Sequence, residues 1–342
     1  MTQSPEPLPP LEDILAKLLD ESELDSVLSC AVDGQSGTAT SPRLSLLHLR
    51  FSEDKPKLQN LADYLCSAAM NYALSRRRRD AFLSDLSKSK KSSLSLIPRI
   101  NKAVRDAFIE FREAHPNRAS EVGEVLAFCI ATHYLQAAQL IAKMSLKTSS
   151  NMPVHGLDGI HASFKNGALT VYFLESKLTK TAARGIKDFA ESMKSFDGKP
   201  KQYDREYELV CNLGNLDVLP ENERQHLLQY LDVYSAESSL KRERAIGVVC
   251  YSEENHYTNC LPVDDGDVLK HEQHFAELFA ADHGDHQKYL VAQLNKNEVA
   301  PEKCSVYLVA VPCIATLRKS FYAELGIPSI EDELNDSEAK EA

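Results

Sequence analysis

The 342-residue chain contains no C-x-x-C pair, no basic-then-apolar leader at its N-terminus, and no segment approaching the roughly 20 apolar residues of a membrane span. The expected setting is therefore the cytoplasm. Its eight cysteines, at 30, 66, 129, 211, 250, 260, 304 and 313, are expected to be reduced, and those in AFCIA and GVVCY read as core thiols. Three signatures of group-transfer chemistry are missing too: no G-x-x-x-x-G-K-[ST] loop, no G-x-G-x-x-G and no G-x-S-x-G. Nucleotide-driven work and serine hydrolase chemistry thus lack support. Positive charge is in deficit, with a net charge of −11. Acidity of the whole chain favours solubility and repels phosphate, so any contact with nucleic acid must rest on local basic clusters.

Such clusters exist. Between residues 76 and 106 ten Lys or Arg (76, 77, 78, 79, 88, 90, 91, 99, 102, 105) stand against three Asp (80, 85, 106). The stretch opens on Arg76, Arg77, Arg78 and Arg79. It suits a phosphate backbone or an acidic partner, and equally a solvated helix surface followed by a Ser/Lys-rich linker at 84–95. A single aromatic, Phe82, interleaves the basic residues, which argues against a stacking platform for single strands.

Residues 1–10 carry four prolines (5, 7, 9 and 10) and read as a disordered lead. Residues 11–115 form a mostly helical N-terminal region: a short amphipathic helix at 11–19, a strand at 43–51, and a helix at 57–74 with Leu58, Leu61, Leu65, Ala68 and Ala69 on one face. A second unit spans 116–330. It opens on a long helix capped by Ser120 and running to about 147, apolar nearly all round and therefore central. A hairpin, a helix at 181–196, a helix at 221–231, strands at 245–251 and 305–311, and a closing helix at 317–325 follow. The order gives an α/β fold, a mixed sheet flanked by helices. Residues 331–342 hold six acids (331, 332, 333, 336, 338, 341) and one lysine, and read as a flexible tail.

The chemistry concentrates in residues 155–177, HGLDGIHASFKNGALTVYFLESK. Asn166-Gly167 supplies hairpin turn chemistry, with Asp158 near the start of one strand and Glu175-Ser176-Lys177 at the end of the other. Strand residues two apart share a face, so Glu175 and Lys177 point one way and Ser176 the other. Two carboxylates and a lysine at this spacing suit metal-assisted phosphodiester hydrolysis. Asp158 and Glu175 would hold a hard divalent cation, Mg²⁺ or Mn²⁺. Lys177 would orient water and offset phosphate charge, and the Ser176 carbonyl offers one more hard ligand. The plain alternative is a hydrophobic hairpin with charged ends.

Glu124 lies on the stripe of Phe128, Ala131 and Leu135, which aims it inward; an inward carboxylate requires a partner, and the metal pocket supplies one. On the helix after the hairpin, Ile186, Phe189 or Ala190, and Met193 face inward. Lys180, Arg184 and Lys187 form a basic stripe close to any bound phosphate, or a plain polar face. His271, His274, His283 and His286 make an H-x-x-H…H-x-x-H pattern with zinc-like spacing, but no cysteine completes the set. His161, three residues past Asp158, faces the other way in a regular strand, and His155 is left out with it.

Glu124 on a central helix, then Asp158, then Glu175-x-Lys177 and a helix resembles the order of the PD-(D/E)xK nuclease core, with Leu157 where the family name has proline. The text G-E-V-L-A-F, H-G-L-D-G-I-H and L-E-S-K is similar to the HamA-type effector nucleases of the Hachiman anti-phage system, over roughly residues 40–325. The resemblance implies a restriction-endonuclease-like fold and a Mg²⁺-dependent DNase with little sequence preference. It implies a superfamily 2 helicase partner, HamB, and a catalytic set of Glu124, Asp158, Glu175 and Lys177. The N-terminal segments would help dock the helicase. A housekeeping repair or recombination nuclease and a non-catalytic helicase-binding subunit are the alternatives.

Overall fold

The computed structural model describes residues 8–34, 41–88, 96–114, 121–142, 144, 156–197, 201–213, 215–259, 261–262 and 266–327. The Ser120 cap, His155, residues 1–7 of the lead expected at 1–10, and the tail at 331–342 lie outside them.

The strands are β1 (Leu28–Val32), β2 (Arg43–Leu49), β3 (Phe51–Ser52), β4 (Lys55–Pro56), β5 (Ala138–Ile141), β6 (Gly159–Lys165), β7 (Ala168–Thr179), β8 (Lys241–Ser252) and β9 (Cys304–Val311). Apart from the small β3–β4 ribbon they form one mixed seven-stranded sheet in the order β1-β2-β9-β8-β7-β6-β5. β7, β8, β9 and β2 run parallel, and antiparallel strands flank them on both sides. β9, CSVYLVAV, is buried along its whole length. That burial explains its unbroken apolar text, because a parallel strand is covered on both faces.

Helices cover the sheet. They are α1 (Leu11–Ala16), α2 (Leu58–Ala73), α3 (Arg76–Lys88), α4 (Leu96–Ala114), α5 (Glu121–Tyr134), α6 (Ala182–Asp197), α7 (Gln202–Leu213), α8 (Glu221–Leu231), α9 (Glu254–Thr258), α10 (Lys270–Ala281), α11 (His283–Lys296) and α12 (Ile314–Glu324). α5 packs against the face of β7 that carries Ser176 and Leu178, so closely that a Cβ on Gly123 would stand 2.3 Å from Leu178 Cδ1. α6 covers the opposite face, where Gly185 lies against Val249 and Thr179. The core between them includes Val122, Val125 and Leu126 on one side and Ile186, Phe189, Ala190 and Met193 on the other, all buried.

The hairpin has its expected turn. Asn166 and Gly167 take φ of 54° and 74°, the left-handed pair of a two-residue turn matched to strand twist. The ladder runs from Lys165↔Ala168 to Gly159↔Leu174.

Two expectations need correction. The central helix does not reach 147: α5 stops at Tyr134, the chain turns through Gln136 at φ 49°, and residues 138–141 pair with β6 as strand β5. An apolar run buried on all sides has no period to tell helix from strand, and AQLI took the sheet edge. The Ser/Lys-rich stretch from 84 is helical as far as Lys88. The region before 115 is mostly helical and carries the expected strand as β2; β1 and β2 belong to the main sheet, and β2 pairs with β9 from the far end of the chain.

Candidate functional site

The carboxyl end of β7 presents Glu175 and Lys177 to the α6 side, as strand alternation requires. Lys177 Nζ donates to Glu175 Oε1 at 2.6 Å, and both side chains are largely covered, 22% and 10% exposed. They line a cavity of about 420 Å³ with Leu157 and with Asp188, Glu191 and Ser192 of α6. Asp158 lies just outside β6, where one more step of the ladder would set it opposite Glu175. Its backbone N–H donates to Leu174 O at 2.8 Å, and its Oδ2 accepts from both the N–H and the hydroxyl of Ser176, at 2.8 and 2.7 Å.

Burial and, next, the charge of Asp158 push Glu175 up to about 7, against the opposing pull of Lys177 and a hydrogen bond with Ser192. Two carboxylates crowd one another here and the lysine offsets them only in part.

Glu124 rides on α5, across the sheet from the Glu175 face, and its buried carboxylate accepts from the hydroxyl of Tyr72. One partner of this inward carboxylate is therefore a phenol. Tyr72, fully buried in α2, has its hydroxyl pushed well up by burial first and then by the charge of Glu124, with Asp158 and Glu121 adding to it. Asp158 thus acts electrostatically on groups on both faces of the sheet. One turn earlier on α5, Glu121 repeats the arrangement, accepting from Tyr322 Oη at 2.7 Å. Among the described residues no three His, Cys, Asp or Glu side chains form a metal-ligand set. Mg²⁺ is commonly held by one or two protein carboxylates with water completing its shell, so it does not require a three-residue set.

The basic residues divide. Arg76 and Arg79 turn inward: Arg76 Nη2 and Arg79 Nη1 pair with Asp20 at 3.0 and 2.7 Å, and Arg76 also donates to Leu18 O. They bind the segment after α1 to α3. Arg77, paired with Asp217 at 3.5 Å, and Arg78, over the Phe82 ring, remain exposed. On α6, Arg184 pairs with Asp188 at 2.8 Å and Lys187 with Glu191 at 3.9 Å, while Lys180 is exposed at the end of β7.

The histidine pattern does not assemble. His283 Nε2 meets Leu44 O at 3.1 Å, His286 packs edge-on to Tyr251, and His271 is buried. His161 faces α5 as expected, with its ring against Phe128; burial holds it down to about 4. Cys129 and Cys250 are buried thiols, whereas Cys30 and Cys211 are exposed.

Sequence reasoning missed Tyr72, Ser192 and the hydroxyl of Ser176. Tyr72 was within reach: it extends the Leu61, Leu65, Ala69 stripe of α2 by one turn, and a buried phenol needs a partner. Nothing in the spacing marks Ser192.

The family model that matches the chain spans residues 24–325, from before β1 through α12, and is that of HamA. The chain belongs to the HamA family. Membership ties it to anti-phage defence of the Hachiman type. A search of curated proteins found no match. The HamA match takes in both the hairpin with Asp158 and Glu175 and the N-terminal strands that complete the sheet. No helix among the described residues is long and apolar enough to cross a membrane.

Proposed function

We propose that the chain is a divalent-metal-dependent deoxyribonuclease of PD-(D/E)xK type, the effector of an anti-phage complex with a helicase partner. The observation that carries this reading is the buried Glu175 on an open cavity, with Lys177 Nζ at 2.6 Å and the charge of Asp158 bearing on it. Like charges held together out of water are unfavourable unless something between them repays the arrangement.

Asp158 and Glu175 would hold Mg²⁺ or Mn²⁺. The bound cation would acidify a water and neutralise charge on the phosphate. Lys177 holds one oxygen of Glu175 and keeps an ammonium where the phosphate arrives, so it orients the attacking water and stabilises negative charge. Lys180, Arg184 and Lys187 contact the DNA backbone without reading bases, consistent with little sequence preference. Arg77 and Arg78 serve DNA or the helicase. Glu124 enters as a support beneath the site, through Tyr72, rather than as a ligand.

A second reading, a non-catalytic subunit that binds the helicase, is favoured by the capture of Glu124 by Tyr72. Supercoiled plasmid incubated with the chain, alone and with its helicase, separates the two. Cleavage that requires Mg²⁺ and stops with EDTA supports the nuclease; no cleavage in either mixture, or cutting that continues in excess EDTA, overturns it.

A further inference from the structure

The middle residue of Glu175-Ser176-Lys177 points away from the cavity, into the α5 side of the sheet, and is 3% exposed. There it donates twice to the same atom: N–H and Oγ–H both end on Asp158 Oδ2, at 2.8 and 2.7 Å. α5 leaves room for that hydroxyl because residue 123 is glycine. A Cβ there would lie 3.3 Å from Ser176 Oγ, tighter than nearly all real contacts of its kind. Asp158 needs such a hold. It stands on a bend one residue before β6, where its own backbone bond to Leu174 O fixes the main chain but not the carboxylate.

We propose that Ser176 is a positioning residue for the cation site: its paired donors fix the Asp158 carboxylate so that its charge bears on Glu175. The proposal rests on the reading of Asp158 and Glu175 as cation ligands. Groups that hydrogen-bond a ligand carboxylate set its orientation, and removing them typically weakens metal binding more than it weakens the fold. At this position the motif's unspecified residue is then not free, and a hydroxyl at 176 goes with glycine at 123. The backbone N–H persists in every variant, so the hydroxyl is the part under test.

The test is Mn²⁺ binding to the full chain by calorimetry, with metal-free thermal melts in parallel. Ser176→Ala should bind Mn²⁺ about 10- to 100-fold more weakly than the parent while melting close to it. Ser176→Thr, which keeps the hydroxyl, should recover most of the affinity. If the alanine variant unfolds, Ser176→Cys, close in size with only a weak donor, carries the test and should also bind weakly. Parent-like affinity in the folded Ala or Cys variant overturns the positioning role and leaves the cation site standing. Absence of Mn²⁺ binding by the parent chain overturns both.

Discussion

Lys177 Nζ stands 2.6 Å from Glu175 Oε1, two residues apart on one strand and on one face of it. The pair is short of balanced, since burial and Asp158 still push Glu175 up to about 7. A site whose carboxylates are only partly compensated is one that gains from a cation.

Removing either member should stop chemistry without unfolding the chain. Glu175→Gln and Lys177→Met should each abolish Mg²⁺-dependent plasmid cleavage, with losses of order 10³-fold for groups that stabilise charge in the transition state. Circular-dichroism melts check the fold. An active Lys177→Met would remove the lysine from the chemistry.

Glu175 also makes a pH prediction with a definite sign. Its folded value lies above the ordinary 4.5, so the stability linked to its protonated form is fully present below 4.5 and lost as pH rises through about 7. The difference corresponds to roughly 3 kcal/mol. Glu175→Gln should therefore melt higher than the parent at pH 8 and show no such advantage at pH 4.5, in metal-free buffer. Equal melting temperatures at pH 8 would mean that Glu175 ionises without strain.

The buried phenol–carboxylate pair should behave as structure. Tyr72→Phe takes a hydroxyl from the buried Glu124 and should cost about 1–3 kcal/mol in chemical denaturation. Combining it with Glu124→Gln, which removes the charge, should cost less than the sum of the two single changes. Strict additivity would show that they do not interact.

The arginine run should split in two. Arg76→Ala removes one cation from a covered pair and should destabilise by about 3 kcal/mol. Reversing charge at Arg77 and Arg78 should leave the melt unchanged and weaken association with DNA or helicase, with a shallower dependence on salt. Unchanged binding at every salt concentration would return both to the solvated surface.

The hairpin was legible because Asn166-Gly167 dictates its turn and period-two alternation then sorts Glu175 and Lys177 onto one face. The helices at 58–73 and 182–197 announced themselves through their stripes. The end of α5 was not legible, because residues 126–142 are apolar nearly all round and the break falls at the left-handed Gln136. Glu124 was rightly turned inward, but what it meets is decided by α2, more than fifty residues earlier, and one-dimensional spacing does not carry that contact. Likewise the arginine run gave no hint that two of its members answer Asp20.

Strand β2, at residues 43–49, lies beside β9, at 304–311. During synthesis the early strands, β1 and β2, therefore have no place in the sheet until almost the entire polypeptide has left the ribosome. A product truncated before β9 would leave β8 as an open sheet edge and β1 and β2 without the strand that joins them to the rest.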